Sequence, residues 1–355
     1  MKHQQLFLFL AGFSATLGID DGLRKSAGPT TQEVREILEH LEVVDLDDGY
    51  GNRLPTLRVS GVDLAVVDGS GTTAGSSGRG NLIVGYVDDG QLLTGSHNVV
   101  LGQGNSVESH GGLVAGQANA LEAPWATIRG GRGNRVTGPH GSICGGGDNE
   151  ARGECSSIAG GRGNLASGPF STVVGGRDGV ASGDHALVVG GLRSVASGLN
   201  STTIGGQDMV ASGAYAVAAG GYQGTASGSF SVVAGGNSGV AGGSTSPLDV
   251  EGAYTVVHGG LRNRATGQYA AAQGGQDNEA RGVKSSTAGG YYNDAIAESS
   301  ACVGGNTNAA NDILATTVGG RQQDANHDVS TVSGGYQTSS SRIYSWAAGN
   351  RSGSF

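Results

Sequence analysis

Ser171-Thr172-Val173-Val174-Gly175-Gly176-Arg177-Asp178-Gly179-Val180-Ala181-Ser182-Gly183 decides the fold, because the chain repeats this stretch along most of its length. Glycine pairs begin at Gly130, Gly145, Gly160, Gly175, Gly190, Gly205, Gly220 and Gly235, then at Gly259, Gly274, Gly289, Gly304, Gly319 and Gly334. The step is 15 residues, except for one step of 24 between Gly235 and Gly259. A fixed short period of this kind is the signature of a repeat architecture in which each unit stacks on the last.

Each position of the repeat has a physical reading. Four residues before the pair stands a small residue, such as Ser156, Ser171, Ala186, Ser201 or Ala216. The next three are mostly Val, Ile, Ala or Thr, which suit a strand. The glycine pair breaks that strand, since glycine accepts positive φ and close backbone approach. Four residues past the first glycine the chain places Asn or Gly, at Asn134, Asn149, Asn164, Gly179, Asn263 and Asn278 among others. These types tolerate the left-handed conformation of a tight turn, so a turn is predicted there. Two residues later comes alanine, from Ala166 through Ala181, Ala196 and Ala211 to Ala325. Insistence on one small side chain predicts a narrow interior. One repeat therefore reads strand, turn, strand, turn. The expected fold is all-β, a parallel β-solenoid (β-roll) of about sixteen coils spaced about 4.8 Å apart.

Composition agrees. Of 355 residues 69 are glycine, aromatics make up 5% and charged residues 14%. Too few large apolar side chains are present for a compact globular core. Proline is scarce, at 6 residues, and the glycines are periodic, which sets disorder aside. The net charge of −9 excludes nucleic acid as the expected partner, because phosphate binding needs a basic surface. No run of about 18 apolar residues exists, so no transmembrane helix is expected. Three cysteines, Cys144, Cys155 and Cys302, do not make a disulfide framework.

Ahead of the repeats, Lys2 and His3 precede the apolar run Leu6 to Phe13, which reads as a secretory signal over residues 1–18, with Thr16-Leu17-Gly18 as the cleavage region. Residues 19–53 form an N-terminal segment. Within it Thr30 and Glu33 have capping-box spacing, and Val34, Ile37, Leu38 and Leu41 share one face of a short amphipathic helix. Residues 54–110 form an irregular β-rich lead-in, with strand alternation over Leu57 to Val67. The solenoid itself occupies 111–355, interrupted by a loop insertion at 243–252.

Side chains alternate along a strand. Val188, Val233 and Val257 should therefore point one way, and Val174, Val189, Ile204, Val303 and Val318 the other. The first set fills the coil. The second makes an apolar stripe that needs a partner surface, so an oligomer wrapped around that face is expected. His258, Gln273 and Ser333 interrupt it.

The pattern Ser-x-Val-x-Gly-Gly-x-x-Asn-x-Ala-Ser-Gly resembles the head repeats of YadA-like trimeric autotransporter adhesins. The resemblance covers about 111–355 firmly and 80–110 loosely. It implies a left-handed parallel β-roll, three chains packed into one head, and attachment to extracellular matrix protein, glycan or a cell surface. No neck, coiled-coil stalk or membrane β-barrel follows the repeats in this sequence, which ends at Ser354-Phe355 partway into a coil. The expectation is a secreted or cell-surface adhesin-like protein, with a self-assembling filament subunit or a phage tail-fibre segment as the alternative.

Candidate binding residues lie at three places. The insertion supplies a loop, Ser244, Thr245, Ser246, Pro247, Leu248 and Asp249, of a kind that leaves a solenoid on one face. Aromatics recur at Phe170, Tyr215, Phe230, Tyr254, Tyr269 and Tyr344, which stacked on one edge form a ladder, either corner packing or a platform for sugars. Arg132, Arg162, Arg177, Arg262, Arg321 and Arg351, with Tyr222, Tyr291 and Tyr336, mark a second edge, solvated or suited to acidic glycans. Catalysis finds no foothold. The histidines occupy different phases of the repeat, and no metal-ligand or nucleophile-elbow spacing occurs. The nine-residue calcium repeat does not match a period of 15. No enzyme activity, cofactor or metal is expected. Thr172, Thr202, Thr316 and Thr331 share a column, but too irregularly for an ice-binding array.

Overall fold

The computed structural model describes residues 30–47, 53–88, 91–243, 253–349 and 351–354. They fall into two units that divide between Ala65 and Val66.

In the first unit, helix α1 (Thr31–Glu39) leads into strand β1 (Leu41–Asp47), which pairs antiparallel with β2 (Arg53–Val59). The alternation over Leu57 to Val67 predicted a strand in that interval. The strand instead starts at Arg53 and stops at Val59, because Gly61 turns the chain at φ +76°. Partnering explains the shift. Arg53 to Val59 has Leu41 to Asp47 to pair with, and Val62 to Val67 has no strand beside it.

The second unit is a parallel β-solenoid of about 17 coils. The count exceeds sixteen because the first ladder already begins at Leu82–Val84, before the glycine pairs set in. Three parallel ladders run along it. The first stacks the strand before each glycine pair, from Leu82–Val84 to Ser345–Ala348. The second stacks fifteen two-residue strands, from Ser106–Val107 to Asp324–Ala325. The third joins single residues just past each glycine pair, from Gln117 to Tyr336. At the far end Arg351–Ser354 folds back antiparallel on Ser345–Ala348.

The register is one coil per repeat, so like residues sit on like. Ala181 pairs with Ala166 and Ala196, and Ala196 with Ala211, all fully buried. Val173, Val188, Val233 and Val257 point inward and are equally closed off from solvent. Successive coils nearly touch at one corner. A Cβ added to Gly168, Gly183 or Gly198 would lie 2.0–2.1 Å from the carbonyl oxygen of the next coil's glycine. Only glycine fits such a backbone approach.

The asparagines do something other than turn the chain. Asn134, Asn149 and Asn164 were expected in the left-handed region. The left-handed residue is the one before, as at Asp148 (φ 55°) and Asp178 (φ 55°). Each asparagine is buried, and its amide spans two coils. Asn149 Nδ2 donates to Gly145 O and Gly161 O, both at 3.1 Å, and Asn149 Oδ1 accepts from Asn164 N at 3.0 Å. The amide thus satisfies glycine carbonyls that the turn leaves buried, which a solvent-free corner requires. The column breaks at Gly179, Ser194, Met209, Gly224 and Gly239, where the Met209 side chain fills the space beside Gly224. It resumes at Asn263.

Candidate binding surfaces

Outward residues of the first ladder build the apolar stripe. Val174, Ile204, Val303 and Val318 are 41–46% exposed, and Val189 is half-buried. Val174 pairs with Val189, and Val189 with Ile204, so three consecutive coils present branched aliphatics side by side. His258, Gln273 and Ser333 follow in the same column. The stripe opens where the first-ladder strands lengthen. They are two residues long at Ser142–Ile143 and Ser157–Ile158, and three from Thr172–Val174 onward.

The aromatic edge is a true stack. Tyr215, Phe230, Tyr254 and Tyr269 lie 4.8, 4.9 and 5.0 Å apart, with planes within 11° of one another. Phe170 stacks instead on His185, at 4.9 Å, a neighbour that the sequence pattern missed because it follows aromatics only. Every ring in this column grows from a residue at positive φ, from Trp125 (57°) to Tyr344 (53°). That corner is held by coil-to-coil backbone bonds such as Phe170 N to Glu154 O and Tyr215 N to Leu199 O. Stacked face to face, the four rings pack the corner against one another and stay about half exposed. The candidate loop Ser244 to Asp249 lies outside the described residues. The ring stack passes its insertion point unbroken, from Phe230 to Tyr254.

The arginine edge is less uniform than its spacing suggested. Arg132, Arg162, Arg177 and Arg321 share the third ladder with Tyr222, Tyr291 and Tyr336. Arg262 does not, because Leu261 holds that place and Arg262 falls one position later, with Asp208 and Asp277. There it makes a two-pronged bond to Asp277, both contacts at 2.6 Å, which holds the Asp277 carboxyl below its usual range. Arg351 leaves the column altogether, since it pairs antiparallel with Ala348.

Two ion-pair networks went unread in the sequence. Arg135 binds Glu122 at 2.7 Å and reaches Glu150, which also holds Arg152 at 2.7 Å. Farther along, Glu279 meets Arg264 and Arg281, and Arg281 reaches Asp294. Their signal was opposite charges 15, 13 or 2 residues apart on the outward side of the second ladder, as at Arg135 with Glu150, Glu122 with Arg135 and Glu150 with Arg152. A third polar cluster lies ahead of the repeats. Asp68 accepts from Ser70 N and Ser77 Oγ at 2.8 Å, and these bonds lower its pKa to about 2. His97 Nε2 approaches the same carboxylate at 3.6 Å.

Among the described residues no three of His, Cys, Asp and Glu converge on one point, and no helix is long and apolar enough to cross a membrane. Cys144 and Cys155 are exposed, and Cys302 is buried. Neither a protein-family model nor a curated protein sequence matches this chain.

Proposed function

We propose that this chain is a secreted, non-catalytic adhesive rod of the YadA-like kind, and that it works as a homotrimer packed through the Val174 column. The carrying observation is that column itself: branched aliphatics stacked at Val174, Val189 and Ile204 and again at Val303 and Val318, on the outer face of a regular solenoid. Water disfavours such exposed apolar patches, and burying each such side chain is worth roughly 1.5–3 kcal/mol. The fold suits a structural repeat protein, since a long stacked surface offers many equivalent contacts to an extended ligand. The repeat's resemblance to adhesin heads supports three chains and a matrix, glycan or cell-surface ligand. Export rests on the apolar run before Gly18.

Sedimentation velocity on the purified chain should return three times the chain mass or a whole multiple of it. Ile204→Asp and Val303→Asp should abolish that threefold association with an unchanged circular dichroism spectrum. A stable wild-type monomer would end the trimer reading. An array of matrix proteins and glycans, probed with the purified oligomer, should return at least one specific ligand, and a blank array removes the adhesive reading. Electron microscopy should show discrete rods, whereas continuous fibres would make the chain a filament subunit.

A further inference from the structure

The outward positions of the second ladder form a face distinct from the Val174 column. Its middle is apolar: Leu165, Val180, Val195, Val210, Thr225 and Val240 stack half-buried on six consecutive coils. The neighbouring row, Ser167 to Ser227, is serine at every coil, small enough to let another surface come close. Charges flank the stripe in the same column. Arg135 and Glu150 precede Leu165, and Arg264 and Glu279 follow Val240. Both arginines stay about half exposed, at 50% and 54%.

The order of those charges is self-complementary. Over the ten coils from Arg135 to Glu279 the column runs plus, minus, six uncharged residues, plus, minus, and the next residue, Asp294, falls opposite the uncharged Ala120 under the symmetry described below. Read backwards, it runs minus, plus, six uncharged residues, minus, plus. A second copy laid antiparallel, about a twofold axis midway between Val195 and Val210, sets Arg135 against Glu279 and Glu150 against Arg264. The apolar residues then meet one another. The same axis acts on the adjacent left-handed column, where it sets Asp148 against Arg262 and Arg193 against Asp208. Neither column acquires a like-charged pair.

Other arrangements do. Two copies side by side and parallel place every charge against itself. An antiparallel register shifted by one coil sets Arg135 against Arg264 in one direction, and Glu150 against Glu279 in the other. Like charges brought together at an interface cost several kcal/mol, so one register is selected. We propose that this face binds the same face of a second copy of the chain, antiparallel, centred between Val195 and Val210. Apolar burial drives the contact and the flanking charges set its direction. It spans ten coils, about 43 Å at about 4.8 Å per coil.

The inference does not rest on the trimer, because its residues lie outside the Val174 column and each association can fail alone. Glu150→Arg/Glu279→Arg makes both charged ends more positive, and Arg135→Glu/Arg264→Glu makes both more negative. In sedimentation equilibrium, the Ile204→Asp/Val303→Asp chain, in which this face alone associates, should show a doubling to twice the chain mass. Each variant should weaken that doubling by at least about tenfold, and a one-to-one mixture should restore it. A mixture that stays apart, with both variants folded by circular dichroism, overturns the proposal. Cross-linking decides if a variant fails to fold. In a Cys144→Ser/Cys155→Ser background, Leu165→Cys chains should join Val240→Cys chains through a short bis-maleimide and should not join each other. Self-joining of Leu165→Cys, or no joining at all, overturns it equally.

Discussion

At the scale of single residues, the solenoid separates two uses of glycine that look alike in sequence. Gly198 has ordinary φ, yet a Cβ there would sit 2.1 Å from the Gly213 carbonyl oxygen. Gly205 has open space around it but stands at φ +58°. Gly198→Ala must push two coils apart, at a cost of about 3 kcal/mol. Gly205→Ala only strains its own backbone, at about 1–2 kcal/mol. Denaturant midpoints should fall in that order, and equal losses would show that the coils do not approach as closely as the stacking implies. Asp68 gives a pH signature. Its pKa is held at about 2 by the Ser70 and Ser77 hydrogen bonds, against about 3.9 in an unfolded chain. A carboxyl depressed on folding lends stability above the unfolded value, and that stability is lost as the pH falls from about 4 through about 2. The amide of Gly78, bonded to Thr94 O beside this cluster, should lose exchange protection over that window, and Asp68→Asn should flatten the dependence.

At the scale of strands and columns, the aromatic stack is a test of what corner packing is worth. Phe230 separates Tyr215 from Tyr254, so Phe230→Ala removes two ring contacts at once. Stacked aromatic pairs contribute about 0.5–1.5 kcal/mol each beyond their area. The variant should lose about 1–3 kcal/mol and, with it, the near-ultraviolet dichroism of the coupled tyrosines; an unchanged spectrum would mean the rings are not stacked in solution. Columns are also where the sequence was most and least legible. Glycine pairs and alternating valines reveal the first ladder and its two faces, because period and alternation are local facts that stacking only repeats. The asparagine column misleads, since asparagine suits both a left-handed turn and a buried amide ladder, and only the partner carbonyls of Gly145 and Gly161 decide between them. Arg262 misleads for another reason. One residue of phase shift moves it to a different column, and phase is fixed by pairing, which no single repeat contains. The strand at Leu41–Asp47 escaped notice because its antiparallel partner, Arg53–Val59, supplies the reason for it.

At the scale of the whole solenoid, energy is arranged along one dimension. A coil pairs with the coil before and the coil after and with no other, as the unbroken series Ala166, Ala181, Ala196, Ala211 and Ala226 shows. Damage should therefore stay local, unlike in a globule, where one core feels every change. Ala196→Leu places three extra carbons in a fully closed column, and overpacking of this kind costs about 1–3 kcal/mol. The strain can be relieved only by opening coils near Ala196. Hydrogen exchange read by mass spectrometry should show faster uptake over about residues 180–212, while Asn278 to Val332 exchanges as in wild type. A rise spread evenly over all coils would mean that the solenoid opens as one cooperative body, and that the interfaces between coils are strong compared with the coils themselves. Local opening would serve the adhesive role proposed above, because a coil that yields under load then leaves the contacts made by the others in place.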